Sequence, residues 1–167
     1  MLAFEFSRRD CSQPAHGLDL GDMTIRTDSE VVTSKGRSPD QGMMVYLSIV
    51  DLLDGLRRLL FASPNSRYEF IGADSSFRLV FSCLKAGSIS IDYARRTLAK
   101  VEPAELFDAM LGAVERFVFS KENLLESSDV AKSDLETSLA EFSLLKNMVD
   151  NCKAPSRGKS KKSERRR

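Results

Sequence analysis

The residues of this chain whose types and spacing suit chemistry are few, and they are scattered. Asp51 and Asp54 stand three apart in MMVYLSIVDLLDGLRRLLF (residues 43–61), with Ser48 and Arg58 three and four positions beyond them. On an α-helix such residues share one side. Two carboxylates so placed suit a divalent cation or an acid–base pair. No third ligand stands near them in sequence, so the simpler assignment is solvation of the helix's exposed edge, with Asp54 and Arg58 as an i,i+4 ion pair. His16, the only histidine, lies between Pro14 and Gly17. A single histidine excludes a multi-histidine metal site and the H-E-x-x-H pattern, and no nucleophile motif accompanies it.

The cysteines add little. Cys11, Cys83 and Cys152 show no CxxC spacing, and an odd number of distant cysteines points to free thiols in a reducing compartment. Cys83 and Cys152 fall on apolar rows, where a thiol acts as a small hydrophobe. Cys11 follows Arg8 and Arg9, a setting that lowers a thiol pKa, but it has no paired base. Neither GxGxxG nor GxxxxGK[ST] occurs, and nothing resembles a nucleophile elbow. No catalytic residue, cofactor or metal site is expected.

The strongest local signal is electrostatic. Lys153, Arg157, Lys159, Lys161, Lys162, Arg165, Arg166 and Arg167 face one acid in the last fifteen residues, leaving 17 basic and 23 acidic residues in 1–152, a net charge of −6. Such a polycation binds nucleic acid or an acidic surface by counterion release, without base specificity, or serves only to solubilise. It holds no aromatic residue for base stacking.

The elements that must position these residues follow from periodicity. Residues 43–61 are apolar over most of a helical circumference, with one polar stripe of Ser48, Asp51, Asp54, Gly55 and Arg58. This predicts a central buried helix, entered after a loop in which Ser38 or Asp40 caps it. Its charges exclude a membrane span. Leu2, Phe4 and Phe6 alternate with polar neighbours as one strand; Met23 and Ile25 mark a second, prolonged by Val31 to Thr33 after a turn at Asp28–Ser29. Arg67–Gly72, Phe77–Leu84 and Ser88–Tyr93 read as a three-strand meander. Aligning its aromatic rows sets Phe70 opposite Leu79 and Tyr68 opposite Phe81. A three-residue loop with Gly87 in the left-handed position sets Cys83 opposite Ile89 and Phe81 opposite Ile91. The meander then has one dry face and one mostly wet face carrying Arg67, Glu69, Arg78, Ser82, Ser90 and Asp92.

Pro103 opens a helix running to about Phe119. A last helix from Val130 to about Cys152 carries the seam Leu135, Leu139, Phe142, Leu145, Val149 and Cys152, expected to pack on the body. The sum is an α+β fold: a two-layer antiparallel sheet of about five strands with helices on one face, in the order β-β-α-β-β-β-α-α. Residues 1–152 form one domain and 153–167 a disordered basic tail. The N-terminus meets charge after a few residues and lacks the apolar core of a secretory signal, so a cytoplasmic location is expected.

The order strand, strand, long helix, meander, helix, with YLSIVDLLDGLRRLL (46–60) and YEFIGADSSFRLVF (68–81), resembles small bacterial domains of the immunity-protein kind over about residues 1–120. Those domains neutralise a neighbouring toxin by binding it. The resemblance implies a protein partner and carries over no residue role. An acidic body suits a basic toxin or nuclease, docking on the stripe of Asp51, Asp54 and Arg58 or on the sheet face around Glu69, Val80 and Asp92. The alternative is a nucleic-acid accessory protein anchored by its tail. A small enzyme is the third reading, and it requires a deep pocket lined by Asp51, Asp54 or His16.

Overall fold

A computed structural model describes residues 1–153, with side chains through Lys146 and at Met148. The basic tail after Lys153 lies outside the described residues, as do the side chains of Lys153 and of Val149 and Cys152 of the expected seam.

Leu2, Phe4 and Phe6 do belong to a strand, β1 (Ala3–Arg8), which pairs antiparallel with β2 (Leu20–Arg26) so that Phe4 faces Ile25 and Phe6 faces Met23. Val31–Thr33 does not prolong β2. It folds back as β3, with Val32 opposite Ile25. Met43–Met44, expected as the first helical residues, form β4 and bridge the start of β2. The turn at Asp28–Ser29 thus reverses the chain, and the resulting four-stranded sheet buries Phe4, Phe6, Met23, Ile25 and Val32 on one face.

The central helix α1 spans Val45–Phe61. Its N-cap is Met44, which makes no side-chain capping bond. Neither Ser38 nor Asp40 caps it; Asp40 instead accepts bonds from Arg9 at 2.8 Å and from the Gly42 N–H at 3.0 Å. The polar stripe of α1 is only in part a window to water. Ser48 is fully buried and accepts the Ala73 N–H at 2.9 Å. Gly55 is buried because the Tyr68 ring lies where its Cβ would be. Polar and small residues here seat the second sheet, and only Asp51 and Arg58 remain exposed.

The meander forms as its rows dictate: β5 (Arg67–Ile71), β6 (Arg78–Cys83) and β7 (Ile89–Tyr93), with Phe70 opposite Leu79, Tyr68 opposite Phe81, Phe81 opposite Ile91 and Cys83 opposite Ile89. Gly87 holds φ +87° in its loop. A fourth strand, β8 (Arg96–Val101), extends the sheet. Its register slips by one residue, and this bulge turns Leu98 inward. The fold is therefore α+β with two four-stranded antiparallel sheets, eight strands among the described residues rather than about five. One end of the second sheet abuts the β3/β4 side of the first through the Met44 N–H to Ala73 carbonyl bond (3.0 Å) and the Arg96–Glu30 ion pair (2.9 Å).

α2 (Pro103–Val118) begins at Pro103 as expected and covers the first sheet, with Phe117 6.3 Å from Phe6 and 5.2 Å from Tyr46 between ring centres. A short 3-10 helix (Lys121–Asn123) leads to α3 (Val130–Lys153). Leu135, Phe142 and Leu145 are buried against the body, and Phe142 meets Phe107 at 4.8 Å. The ion pairs Arg57–Glu141 and Lys146–Asp108 brace α3 on α1 and α2. No helix among the described residues is long and apolar enough to cross a membrane.

Candidate functional site

The six residues expected to form a partner surface fall into two separate groups. On α1, the exposed Asp51 accepts the Tyr68 hydroxyl at 2.9 Å. Burial, followed by the Asp51 charge, pushes the Tyr68 pKa far up, so the phenol stays a donor. Asp54 meets Arg57 at 3.8 Å rather than Arg58, and Arg57 also reaches Glu141 at 2.9 Å on α3. Among the described residues Arg58 has no ion pair. These carboxylates brace the helix, and no group of three or more His, Cys, Asp or Glu among the described residues is placed to hold a metal.

The other three residues line up. Glu69, Val80 and Asp92 are successive register partners across β5, β6 and β7, on the side of the sheet away from α1. Glu69 pairs with Arg78 at 3.0 Å. Asp92 accepts hydroxyls from Ser90 (3.0 Å) and Thr97 (2.6 Å). They floor an open cavity of about 740 Å³ rimmed by Arg67, Arg78 and Arg95. Arg95 reaches the rim from a two-residue turn in which Ala94 and Arg95 hold φ +48° and +65°. Such turns favour Asn-Gly, since each non-glycine residue at positive φ costs about 1–2 kcal/mol. That missing turn signal hid β8 from a reading of the sequence.

His16 does line a cavity, of about 620 Å³, with Glu126, Asp129 and Asp134. Both oxygens of Asp129 are occupied, by the Gly17 N–H at 2.8 Å and the Ala131 N–H at 2.9 Å at the start of α3. The His16 Nδ1 accepts the Leu18 N–H at 3.2 Å. The imidazole thus shapes its own loop. Cys83 is half-buried, and burial raises its thiol pKa, as expected of a packing residue.

Two features escaped the sequence. Arg8 closes β1 and Arg9 follows it directly, yet the two side chains make separate sets of contacts. Arg8 is buried, lies 2.9 Å from Asp19, and donates to the carbonyls of Asp10, Gln13 and Glu122. Arg9 bridges Asp22 and Asp40. Burial opposes ionisation of Asp22, yet bonds from Arg9 and Ser34 hold its carboxyl below the usual range.

The second feature is an apolar groove of about 380 Å³ between the end of α2 and the start of α3, lined by Val118, Leu125, Leu135 and Leu139. Phe119 and Leu124 stand at its mouth, 70% and 55% exposed. Buried Asn123 shapes the floor, its side-chain amide donating to the Phe117 carbonyl at 3.0 Å while its backbone carbonyl accepts the Tyr46 hydroxyl at 2.8 Å. Glu115, Lys132 and Glu136 are the charged residues that line it, within a stretch, residues 121–141, that contains six acids and two lysines. Glu126, Asp134 and Glu136 have no ion pair among the described residues. The groove joins residues from the end of one helix, a loop and a second helix, so only the fold assembles it.

No protein-family model matches the chain, and neither the curated proteins nor the solved structures yield a significant match.

Proposed function

We propose that this protein is a non-enzymatic binding module of the immunity kind, which neutralises a basic toxin or nuclease domain in the cytoplasm by docking on it. The observation that carries the reading is the α2–α3 groove. Phe119 and Leu124 give it an exposed apolar centre, and Glu115 and Glu136 stand at its rim. An apolar centre with a charged border is the usual anatomy of a specific protein interface. Surplus negative charge around it speeds encounter with a cationic partner and repels anionic ones.

The reading predicts a toxin gene immediately upstream of this one, and it is tested with that gene's product. The purified full-length protein should bind that product's basic domain and inhibit it. Leu124→Asp, which places a charge at the mouth of the groove, should weaken binding at least about tenfold, the scale of an interface anchor. A titration showing no heat and no inhibition, or a Leu124→Asp variant that binds as well as the parent, overturns the proposal.

A further inference from the structure

The outer face of the second sheet is a second surface of opposite charge, remote from that groove in sequence and built on other elements. Residues 67–100 carry six lysines or arginines against three acids. Two of those acids are already engaged, Glu69 by Arg78 and Asp92 by Ser90 and Thr97. Arg67, Arg95 and Lys100 have no ion pair among the described residues.

Their placement is regular. Arg67, Ser82, Ser90 and Lys100 follow one another as register partners across all four strands. Three strand spacings set the two cations about 14 Å apart at the backbone. In an extended chain, residues i and i+4 point the same way and lie about 13 Å apart. Arg95 overlooks the same cavity from a strained turn, and Val80 gives its floor one apolar patch.

We propose that this face docks an extended acidic segment of a protein, with two carboxylates four residues apart on Arg67 and Lys100 and the side chain between them over Ser82 and Val80. A protein segment suits the face better than nucleic acid. Its nearest aromatic, Tyr93, is half-buried and packs on Phe77 at 5.6 Å, so it offers no stacking platform. A nucleic acid carries a phosphate at every nucleotide and would set some of them against Glu69 and Asp92 in the middle row, whereas a segment with only two carboxylates keeps both over Arg67 and Lys100.

The test uses the full-length protein and a fluorescein-labelled peptide with glutamates four residues apart and leucine midway, read by anisotropy. Binding should be saturable, and Arg67→Glu with Lys100→Glu should weaken it at least about tenfold, as expected for two reversed charge contacts. A peptide whose glutamates are three apart presents them to opposite faces and should bind distinctly more weakly. Lys161→Glu with Lys162→Glu, in the tail, should leave affinity within about twofold, because those charges lie outside the site. Arg95→Gly guards against mere unfolding: it should weaken binding while raising the melting temperature, since glycine relieves the turn. Loss of binding with the tail variant but not with the face variant overturns the proposal. So does preferential capture of oligouridylate by the same face, or self-association that the face variant abolishes.

Discussion

From Arg67 to Lys100 the chain places six lysines or arginines against three acids, and from Lys121 to Glu141 it places six acids against two lysines. The first stretch is mostly strand and the second mostly helix, and the two meet the core differently. The meander buries every second residue, Phe70, Leu79, Phe81, Ile89 and Ile91, so the alternate residues are free to carry charge on one flat face. On the helical side the apolar stripe is wider than the body can cover, and Phe119, Leu124 and Val130 remain exposed among the acids. A sheet separates its dry and wet residues cleanly by its period of two, whereas helices and their connections leave apolar residues at the margin. The meander face is thus suited to charge recognition, and the α2–α3 side to apolar contact with charge as its border.

The comparison breaks most severely if α3 is loosened, because that helix supplies one wall of the groove and nothing to the meander face. Phe142 is fully buried and meets Phe107. Phe142→Ala should cost about 3–5 kcal/mol, the usual range for deleting a buried aromatic ring. Urea denaturation followed by circular dichroism measures it. In hydrogen exchange the amides of α3 should lose protection before those of β5 to β7. Equal loss in both regions would mean that the two faces are not separable units.

A smaller effect is expected where both signs of charge are neutralised together, at Arg9 between Asp22 and Asp40. Asp22 is 3% exposed and accepts from Arg9 and Ser34 at 2.9 Å. Asp22→Asn should cost about 2–3 kcal/mol, since bonds to a buried charged group are lost. Asp22, and Asp40 through its bonds from Arg9, both ionise at lower pH in the folded protein than is usual for a carboxyl. Their contribution is therefore complete above the unfolded carboxylate pKa of about 4, and it fades as pH falls through the lower folded values. The parent should lose stability more steeply than Asp22→Asn below about pH 4. Parallel curves would show that the cluster is held by packing rather than by charge.

How much was legible in the sequence follows the same division. Period-two alternation located β1, β5, β6 and β7, and paired aromatics the registers of β5 to β7, because a one-residue slip would turn Phe70 or Phe81 into solvent. Pro103, and the break before Val130, located α2 and α3. The polar stripe of α1 misled because Ser48 and Gly55 look solvated on a helical wheel. Only the fold reveals that one receives the Ala73 N–H and the other receives the Tyr68 ring. The row Glu69–Val80–Asp92 was anticipated, being fixed by register. The groove around Phe119 and Leu124 was not, since its walls are far apart in helical phase and are joined by an irregular loop.

The smallest effect sharpens the contrast at its most local point, the turn that carries Arg95. The charged sheet tolerates three non-glycine residues at positive φ, Asp74, Ala94 and Arg95, two of them in this turn, whereas no residue of α2, the 3-10 helix or α3 is held that way among those described. Strain persists where the surroundings or a function over-determine it. Ala94→Asn leaves Arg95 in place and gives the turn a residue that adopts positive φ more readily. It should raise stability by about 0.5–1 kcal/mol, below the full cost of the alanine because asparagine still carries a Cβ. Thermal melting should show the gain, and affinity for the acidic peptide should stay unchanged because no cation is altered. A gain in stability accompanied by a loss of binding would assign the alanine to the contact surface itself. Equal stability would mean that the hairpin relaxes its turn in solution, and the meander face would then owe its geometry to the strands alone.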